Sequence, residues 1–409
     1  MTASPAIEGG PEARSERSFA CLDGLRALAA TAVVVTHVGF WTGNYTPDVV
    51  GRVLARCDVG VPIFFVLSGF LLSRPFFLAS VRGRPGPRPA AYLWRRGLRI
   101  LPAYWLTVAA AFLLLPGNRG LGFGDWVRYL GLLQAYSTKH FAEGLSNTWS
   151  LTTEVAFYVV LLPVGAVLMR LSGSHPQRPR RALLLLVAGA VAGLLWLGWA
   201  RAAGPFPVPV DMWLPGFAGW FGAGMALAAL SVADRAWWPV RLAHSLGSSL
   251  ATCWAAAGAL FWIATSTLAG PITLAPPTAA QAMFKNLLYL LVAGLVVLPL
   301  VFGDQSRGST RRALASPVGR LLGEVSYGLF LIHVAVLALG YHLLGAPQFS
   351  GDFVLVLVPT WVISTALATV VYFGLERPLS RWRGLVPDRR RETPISEAAV
   401  AASAVSTSA

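Results

Sequence analysis

Charge and cysteine are what this chain has least of. Only 12% of its 409 residues are charged, whereas 55% are hydrophobic. No single soluble core could hide that much apolar surface, so a water-soluble globular fold is excluded and a polytopic membrane protein is implied. The three cysteines, Cys21, Cys57 and Cys253, each stand alone in or near an apolar run. That excludes a disulfide framework and leaves no paired spacing for a zinc or redox centre. Lysine is nearly absent: Lys139 and Lys285 are the only two, so thirty-one of the thirty-three basic residues are arginine. This arginine-rich, alanine-rich usage resembles that of a high-GC bacterium. No internal repeat is visible, which weakens a transporter built from two inverted halves.

What is present is a series of apolar runs separated by basic links. A net charge of +15 would suggest nucleic acid in a soluble protein, but here the arginines fall mostly between the runs. That placement points to membrane topology, with no nucleic-acid partner. The runs lie at about 19–40, 58–80, 100–116, 149–169, 182–200, 212–231, 247–268, 283–302, 321–344 and 353–373. An all-α bundle of about ten transmembrane helices is therefore expected. The first run is too long for a cleavable signal and reads as a retained helix. Residues 1–18 are expected to be disordered, 19–376 to form one membrane domain, and 377–409 to be a basic, then low-complexity, tail.

With the N-terminus placed inside, the inner segments hold 24 basic residues: two before the first run, six at 82–99, four at 170–181, two at 235–241, four at 307–320 and six in the tail. The outer segments hold seven: Arg52, Arg56, Arg119, Arg128, Lys139, Arg201 and Lys285. The asymmetry predicts cytoplasmic termini at a bacterial plasma membrane. The longest outer connection, Gly117 to Asn147, carries Trp126, Tyr129, Tyr136 and Phe141, and Asp125–Tyr136 is expected to form a short interfacial helix.

The first run, FACLDGLRALAATAVVVTHVGF, holds Asp23, Arg26 and His37. Arg26 and His37 are eleven residues apart, which at about 100° per residue puts them within roughly 20° on one face and about 16 Å apart along the axis. Such groups inside a span usually face a bundle interior, a water path or a site. Each also has a bland reading. His37 can be an interhelical hydrogen bonder, and Arg26 can pair with Asp23 or snorkel to headgroups.

Three more stretches carry polar groups. In NTWSLTTEVAFY, Ser150, Glu154 and Tyr158 recur every four residues beside Trp149, forming one stripe. Glu154 can orient an imidazole, accept from a sugar hydroxyl, or merely suit a helix start. In GEVSYGLFLIHV, Ser326 and His333 share a face, with His333 near mid-membrane. In RRGLRILPAY, Arg95, Arg96 and Arg99 sit at the inner end of the third span, where they satisfy the positive-inside rule and also suit a polyphosphate.

Cationic groups at the inner face and histidines with a hydroxyl and a carboxylate in the spans match an acyl-coenzyme A, with its phosphates at the arginines and its pantetheine arm reaching inward. A neutral histidine can then take the proton of an attacking hydroxyl. The same groups can serve a proton-coupled transporter with His37, Glu154 and His333 as a relay. Composition alone does not choose.

The order of motifs decides further. LDGLRALAATAVVVTHVGF, GVPIFFVLSGFLLS, RRGLRILPAY, TWSLTTEVAFY, SYGLFLIHV and LERPLS resemble membrane-bound acyltransferase family 3, integral membrane O-acyltransferases of sugars, in the form without a soluble hydrolase-like domain. The resemblance implies His37 as the catalytic histidine with Arg26 its partner, and Arg96 and Arg99, with Arg95, facing an acyl donor. Glu154 and His333 match other recurrent polar positions, and Phe330 stands where many relatives have tyrosine. It further implies acyl-CoA, acetyl-CoA foremost, as co-substrate without a permanently bound cofactor or metal, and a sugar-containing acceptor met by Trp149, Ser150, Tyr158, Ser326 and His333. Oligomeric state is not legible in the sequence.

Overall fold

The protein is described by a computed structural model covering residues 19–173, 177–305 and 307–387. The expected disordered N-terminus, 1–18, and the low-complexity end of the tail lie outside the described residues. Those residues are helical throughout, with no strand among them. The helices are α1 (Ala20–Trp41), α2 (Val49–Arg56), α3 (Gly60–Val81), α4 (Pro89–Leu114), α5 (Phe123–Leu130), α6 (Trp149–Ser172), α7 (Arg180–Ala203), α8 (Ala218–Val232), α9 (Trp238–Ser248), α10 (Leu250–Ala264), α11 (Ala279–Phe302), α12 (Ser309–Leu314), α13 (Pro317–Leu344) and α14 (Phe353–Val371). Among the described residues nine helical runs are long and apolar enough to cross a membrane. The chain is a multi-pass membrane protein.

Three boundaries differ from the sequence reading. The apolar run at 247–268 is not one straight span. It is split at Ser249 into α9 and α10, bent by 88°, and the two halves together supply a tenth crossing by length and composition. Ser249 stops one helix and starts the next, its hydroxyl accepting the Thr252 amide. The third span does not begin at Ile100 but at Pro89, because proline at the first helical position forfeits no hydrogen bond. Arg95, Arg96 and Arg99 are therefore on the second to fourth turns of α4 and not at its mouth. The last span also runs past Glu376, in helical turns to Leu385, where the Trp382 carbonyl accepts the Trp94 indole N–H.

The other boundaries follow local chemistry. Ser316 caps α13 through the Gly319 amide with Pro317 behind it, and Gly345, at φ 61°, closes the helix in the left-handed region. Thr278 and Gln281 form a reciprocal capping box at α11. Asp352 accepts the amides of Val354 and Leu355 to open α14. The 117–147 connection holds α5 as expected, but that helix ends at Leu130, and Gln134–Tyr136 is a separate 3₁₀ turn.

α1 is the axis of the bundle. It runs parallel to α13, as three contacts in register show: Gly323 lies against the Asp23 backbone, His333 against His37, and Tyr341 donates to the Trp41 carbonyl. α3 runs the other way across α1. Its Gly60 sits where a Cβ would come within 2.3 Å of the Ala29 carbonyl oxygen and 2.8 Å of the Val33 side chain. A Cβ on Gly323 would fall 2.2 Å from the Asp23 carbonyl oxygen. Lipid provides no hydrophobic force between helices, so such small-residue approaches, with their van der Waals contact, hold the spans together. They also set the depth at which the polar groups meet.

Candidate active site

α1, α3, α4, α6 and α13 enclose a cavity of about 50 Å³. It has room for about three to five waters, or a thin flexible chain. Arg26, Arg99, Ser150, Glu154, Tyr158 and Tyr327 supply its polar wall, and Phe64, Phe65 and Phe330 much of its apolar wall. Arg26 makes no ion pair with Asp23, and neither Arg26 nor Arg99 hydrogen-bonds to any described residue. Two guanidinium groups facing one carboxylate leave the cavity net positive. A cation pair placed this deep without protein partners suits an anionic or carbonyl oxygen supplied from outside the chain.

Glu154 is held by two hydroxyls. Ser68 donates to its Oε1, and so does Tyr158 at 2.8 Å. Both bonds converge on one oxygen, leaving Oε2 for the cavity. Ser150 bonds back to the Asn147 carbonyl at 3.1 Å while lining the same space. Arg96 lies next to this group with a buried Nε that has no partner. Arg95 is half-buried on the same helix and does not line the cavity.

His37 is elsewhere. It does not wall the cavity that Arg26 lines, so the single polar track expected along α1 is interrupted. Phe330 lines the cavity and packs on Phe64, with ring centroids 5.9 Å apart, and on His333 at 6.0 Å. The aromatic pair separates the arginines from the histidines. One turn of α13 explains this, because residues 330 and 333 share a face.

Beyond that partition the two imidazoles are bonded to each other. His333 Nε2 lies 3.0 Å from His37 Nδ1, and the ring centroids are 5.0 Å apart. His333 Nδ1 lies 3.1 Å from the Leu329 carbonyl, and His37 Nδ1 2.9 Å from the Val33 carbonyl. Carbonyl oxygens only accept, so each Nδ1 carries the proton. Neutral His333 then has a lone pair on Nε2, and the single His37 Nδ1–H is shared between that lone pair and the Val33 carbonyl as a three-centre bond. Proton balance leaves His37 Nε2 as an unprotonated lone pair with no partner among the described residues. His333 is fully buried, while His37 keeps some exposed surface.

Two other expected site residues fall outside the cavity. Ser326 is fully buried and its hydroxyl is spent on the Gly323 carbonyl at 2.7 Å, so it is a helix-satisfied core residue. Trp149 does not line the Arg26 cavity; it packs on Phe217 at 5.3 Å and lines a second cavity. Glu154 hydrogen-bonds to neither histidine; its partners are Ser68 and Tyr158. The sequence reading missed Ser68, one of two serines in GVPIFFVLSGFLLS, and Phe64, which looks like any apolar residue of that run.

Residues 19–377 match the family described as an acyltransferase domain. The chain belongs to acyltransferase family 3. Among similar proteins, Nodulation protein 10 of Rhizobium leguminosarum bv. viciae is 26% identical over 90% of this chain and 95% of its own length. Acyltransferase MdmB of Streptomyces mycarofaciens is 26% identical over 79% of this chain and 80% of its own. Exopolysaccharide production protein ExoZ of Rhizobium meliloti is 28% identical over 79% and 89%. No solved structure matches the chain. Family membership supports the expected acyltransferase over the alternative of a proton-coupled transporter. The histidine pair and the cationic cavity are then the parts of the family-3 chain with chemistry suited to acyl transfer.

Proposed function

We propose that this protein transfers an acyl group, acetyl or another short chain, from acyl-CoA to a hydroxyl of a sugar-containing acceptor. The observation that carries the reading is the bond from His37 Nδ1–H to His333 Nε2, which leaves His37 Nε2 free to act as a base. In the step, the acceptor oxygen attacks the thioester carbonyl as its proton moves to His37 Nε2. The new C–O bond forms, the C–S bond breaks, and the proton passes to the departing thiolate to give free CoA. His333 holds the tautomer and shares the charge of the transient imidazolium, a positioning role.

Arg26 and Arg99 are the groups suited to the donor, meeting the anionic part of CoA. The narrow cavity fits a pantetheine arm and not a sugar ring. Donor and acceptor would therefore arrive from opposite sides of the Phe64–Phe330 partition. The arginine distribution supports donor entry from the cytoplasm, with both termini on that side.

The test is transfer by the full chain in nanodiscs from labelled acetyl-CoA, with release of free CoA measured in parallel. His37→Ala is expected to keep expression and lose turnover by about 10²-fold or more. Normal turnover in that variant would refute the assigned base.

A further inference from the structure

The long 117–147 connection does not stay at the end of the bundle. Its last residue, Asn147, lies in the 3₁₀ turn Ser146–Thr148 and is 2% exposed. The side-chain Nδ2 donates to the Phe330 carbonyl at 2.6 Å. Phe330 is at the middle of α13 (Pro317–Leu344), about 20 Å from either end by helical rise. The connection therefore descends to within one turn of His333. Resting on the acyl-CoA transfer reading, we propose that Asn147 is a positioning residue for the reaction: through the Phe330 carbonyl it fixes the turn of α13 that aims His333 at His37 and carries the Phe330 ring of the partition.

The amide can sit only one way round. Nδ2 lies 2.6 Å from the Phe330 oxygen and 3.5 Å from that of Leu331, and carbonyl oxygens only accept. Turned over, the side chain would set its own oxygen against two acceptors. Asn147 Oδ1 is accordingly left buried, with no partner among the described residues. A buried acceptor without a donor lowers stability, and an apolar side chain of similar volume would avoid that penalty. Packing alone does not account for an amide at this place, whereas its bond to the α13 main chain does.

That bond falls on a turn with much to hold. His333 Nδ1 lies 3.1 Å from the Leu329 carbonyl, so the consecutive carbonyls of Leu329, Phe330 and Leu331 each meet a side chain. A mid-helix carbonyl already accepts the amide four residues on, and its second lone pair is the one Asn147 uses. The Phe330 ring packs on Phe64 at 5.9 Å and on His333 at 6.0 Å. A shift of this turn would move both His333 Nε2, which lies 3.0 Å from His37 Nδ1, and the ring that walls the Arg26 cavity.

Asn147 is itself firmly seated. Its carbonyl accepts the Ser150 hydroxyl at 3.1 Å, and the next residue, Thr148, takes the Gln134 side-chain amide on both its hydroxyl, at 3.1 Å, and its carbonyl, at 3.2 Å. Three residues earlier Gly144, at φ 75°, lies where a Cβ would come within 3.0 Å of the Ala335 Cα. Glycine alone tolerates that backbone angle together with that approach. The amide thus reaches α13 from a fixed base, as a positioning group must.

The experiment pairs turnover with a readout that needs none. Asn147→Leu removes the amide at similar volume, and Asn147→Ala does so without steric demand. In nanodiscs, with labelled acetyl-CoA as donor and a bacterial envelope extract supplying the acceptor, both variants are expected to lower kcat for transfer about tenfold or more and to leave KM for acetyl-CoA within about twofold. In protein labelled with ¹⁵N-histidine, the ring signals of His37 and His333, assigned with His37→Ala and His333→Gln, should shift in both. Wild-type kcat, unmoved ring signals, or a loss carried wholly by KM in a folded variant overturns the inference. Failure of both variants to fold would assign Asn147 to folding and overturn it too. Ring signals that shift in variants of a protein that never turns over acetyl-CoA would instead sink the acyl-CoA reading and leave Asn147 as the residue that sets the histidine pair.

Discussion

His37 and His333 stand 296 residues apart in the chain and 3.0 Å apart in the fold, joined Nδ1 to Nε2 between two parallel helices. Each ring is also tied to the carbonyl four residues before it, so neither tautomer is free to switch without losing a bond. The result is an imidazole whose unprotonated nitrogen, Nε2, is chosen by its hydrogen bonds. Its partner is neutral, which is a cheaper group to bury in a span than a carboxylate.

If His333 acts as an acceptor for His37 Nδ1–H, what matters at position 333 is a lone pair. His333→Gln should retain transfer within about tenfold, whereas His333→Phe should lose about 10²-fold or more with similar thermal stability in detergent. Equal losses in the two variants would assign the residue to packing.

Removing cations from the inner cavity should act on the donor. Arg26→Met and Arg99→Met are each expected to raise the KM for acetyl-CoA by about tenfold, equivalent to roughly 1.4 kcal/mol, and to flatten its dependence on salt. Isothermal titration with CoA at two ionic strengths checks this. An unchanged donor affinity would leave these arginines a role in topology alone.

The Phe64–Phe330 partition should keep water from the thioester. Phe330→Ala is expected to raise acetyl-CoA hydrolysis relative to transfer. A transfer-to-hydrolysis ratio equal to that of the wild type would show that the ring only fills space.

The outer connection has its own pH dependence. Asp125 is held below the usual carboxylate range, first by the Lys139 ammonium at 2.8 Å, then by the Gly122 amide and by Arg128. A depressed carboxyl stabilises the fold above its unfolded pKa of about 3.9, and that contribution is lost as the pH falls through the lower folded value. Hydrogen exchange of residues 122–140 should therefore be faster in Asp125→Asn at neutral pH, and the variant should lose the acid-induced loosening of the wild type. Identical exchange in the two proteins would rule the cluster out as an anchor.

Much of the site was legible in one dimension. The spacing of Arg26 and His37, the Ser150–Glu154–Tyr158 stripe and the isolated His333 all marked polar groups where hydrocarbon should be, but the structure leaves His37, Arg95, Ser326 and Trp149 outside the cavity that Arg26 lines. The periodicity of α1 did put Arg26 and His37 near one face. It could not show that Phe330, from another helix, would come between His37 and the cavity that Arg26 lines.

The sequence by itself determined that the chain is a helical membrane bundle of about ten crossings, because twenty-residue apolar runs with few charges have no other stable form in a bilayer, and it placed the ionisable groups in depth, because helical rise is constant. Partnership was decided only by the tertiary structure: that His37 meets His333, that Ser68 reaches Glu154, and that Asp58 meets Lys285 and Tyr289. Those contacts depend on which helices touch and at what level, and that is set by close approaches such as Gly60 on Ala29 and Gly323 on Asp23. No local pattern encodes them, since being apolar enough to cross a membrane, as every span is, does not select a partner helix.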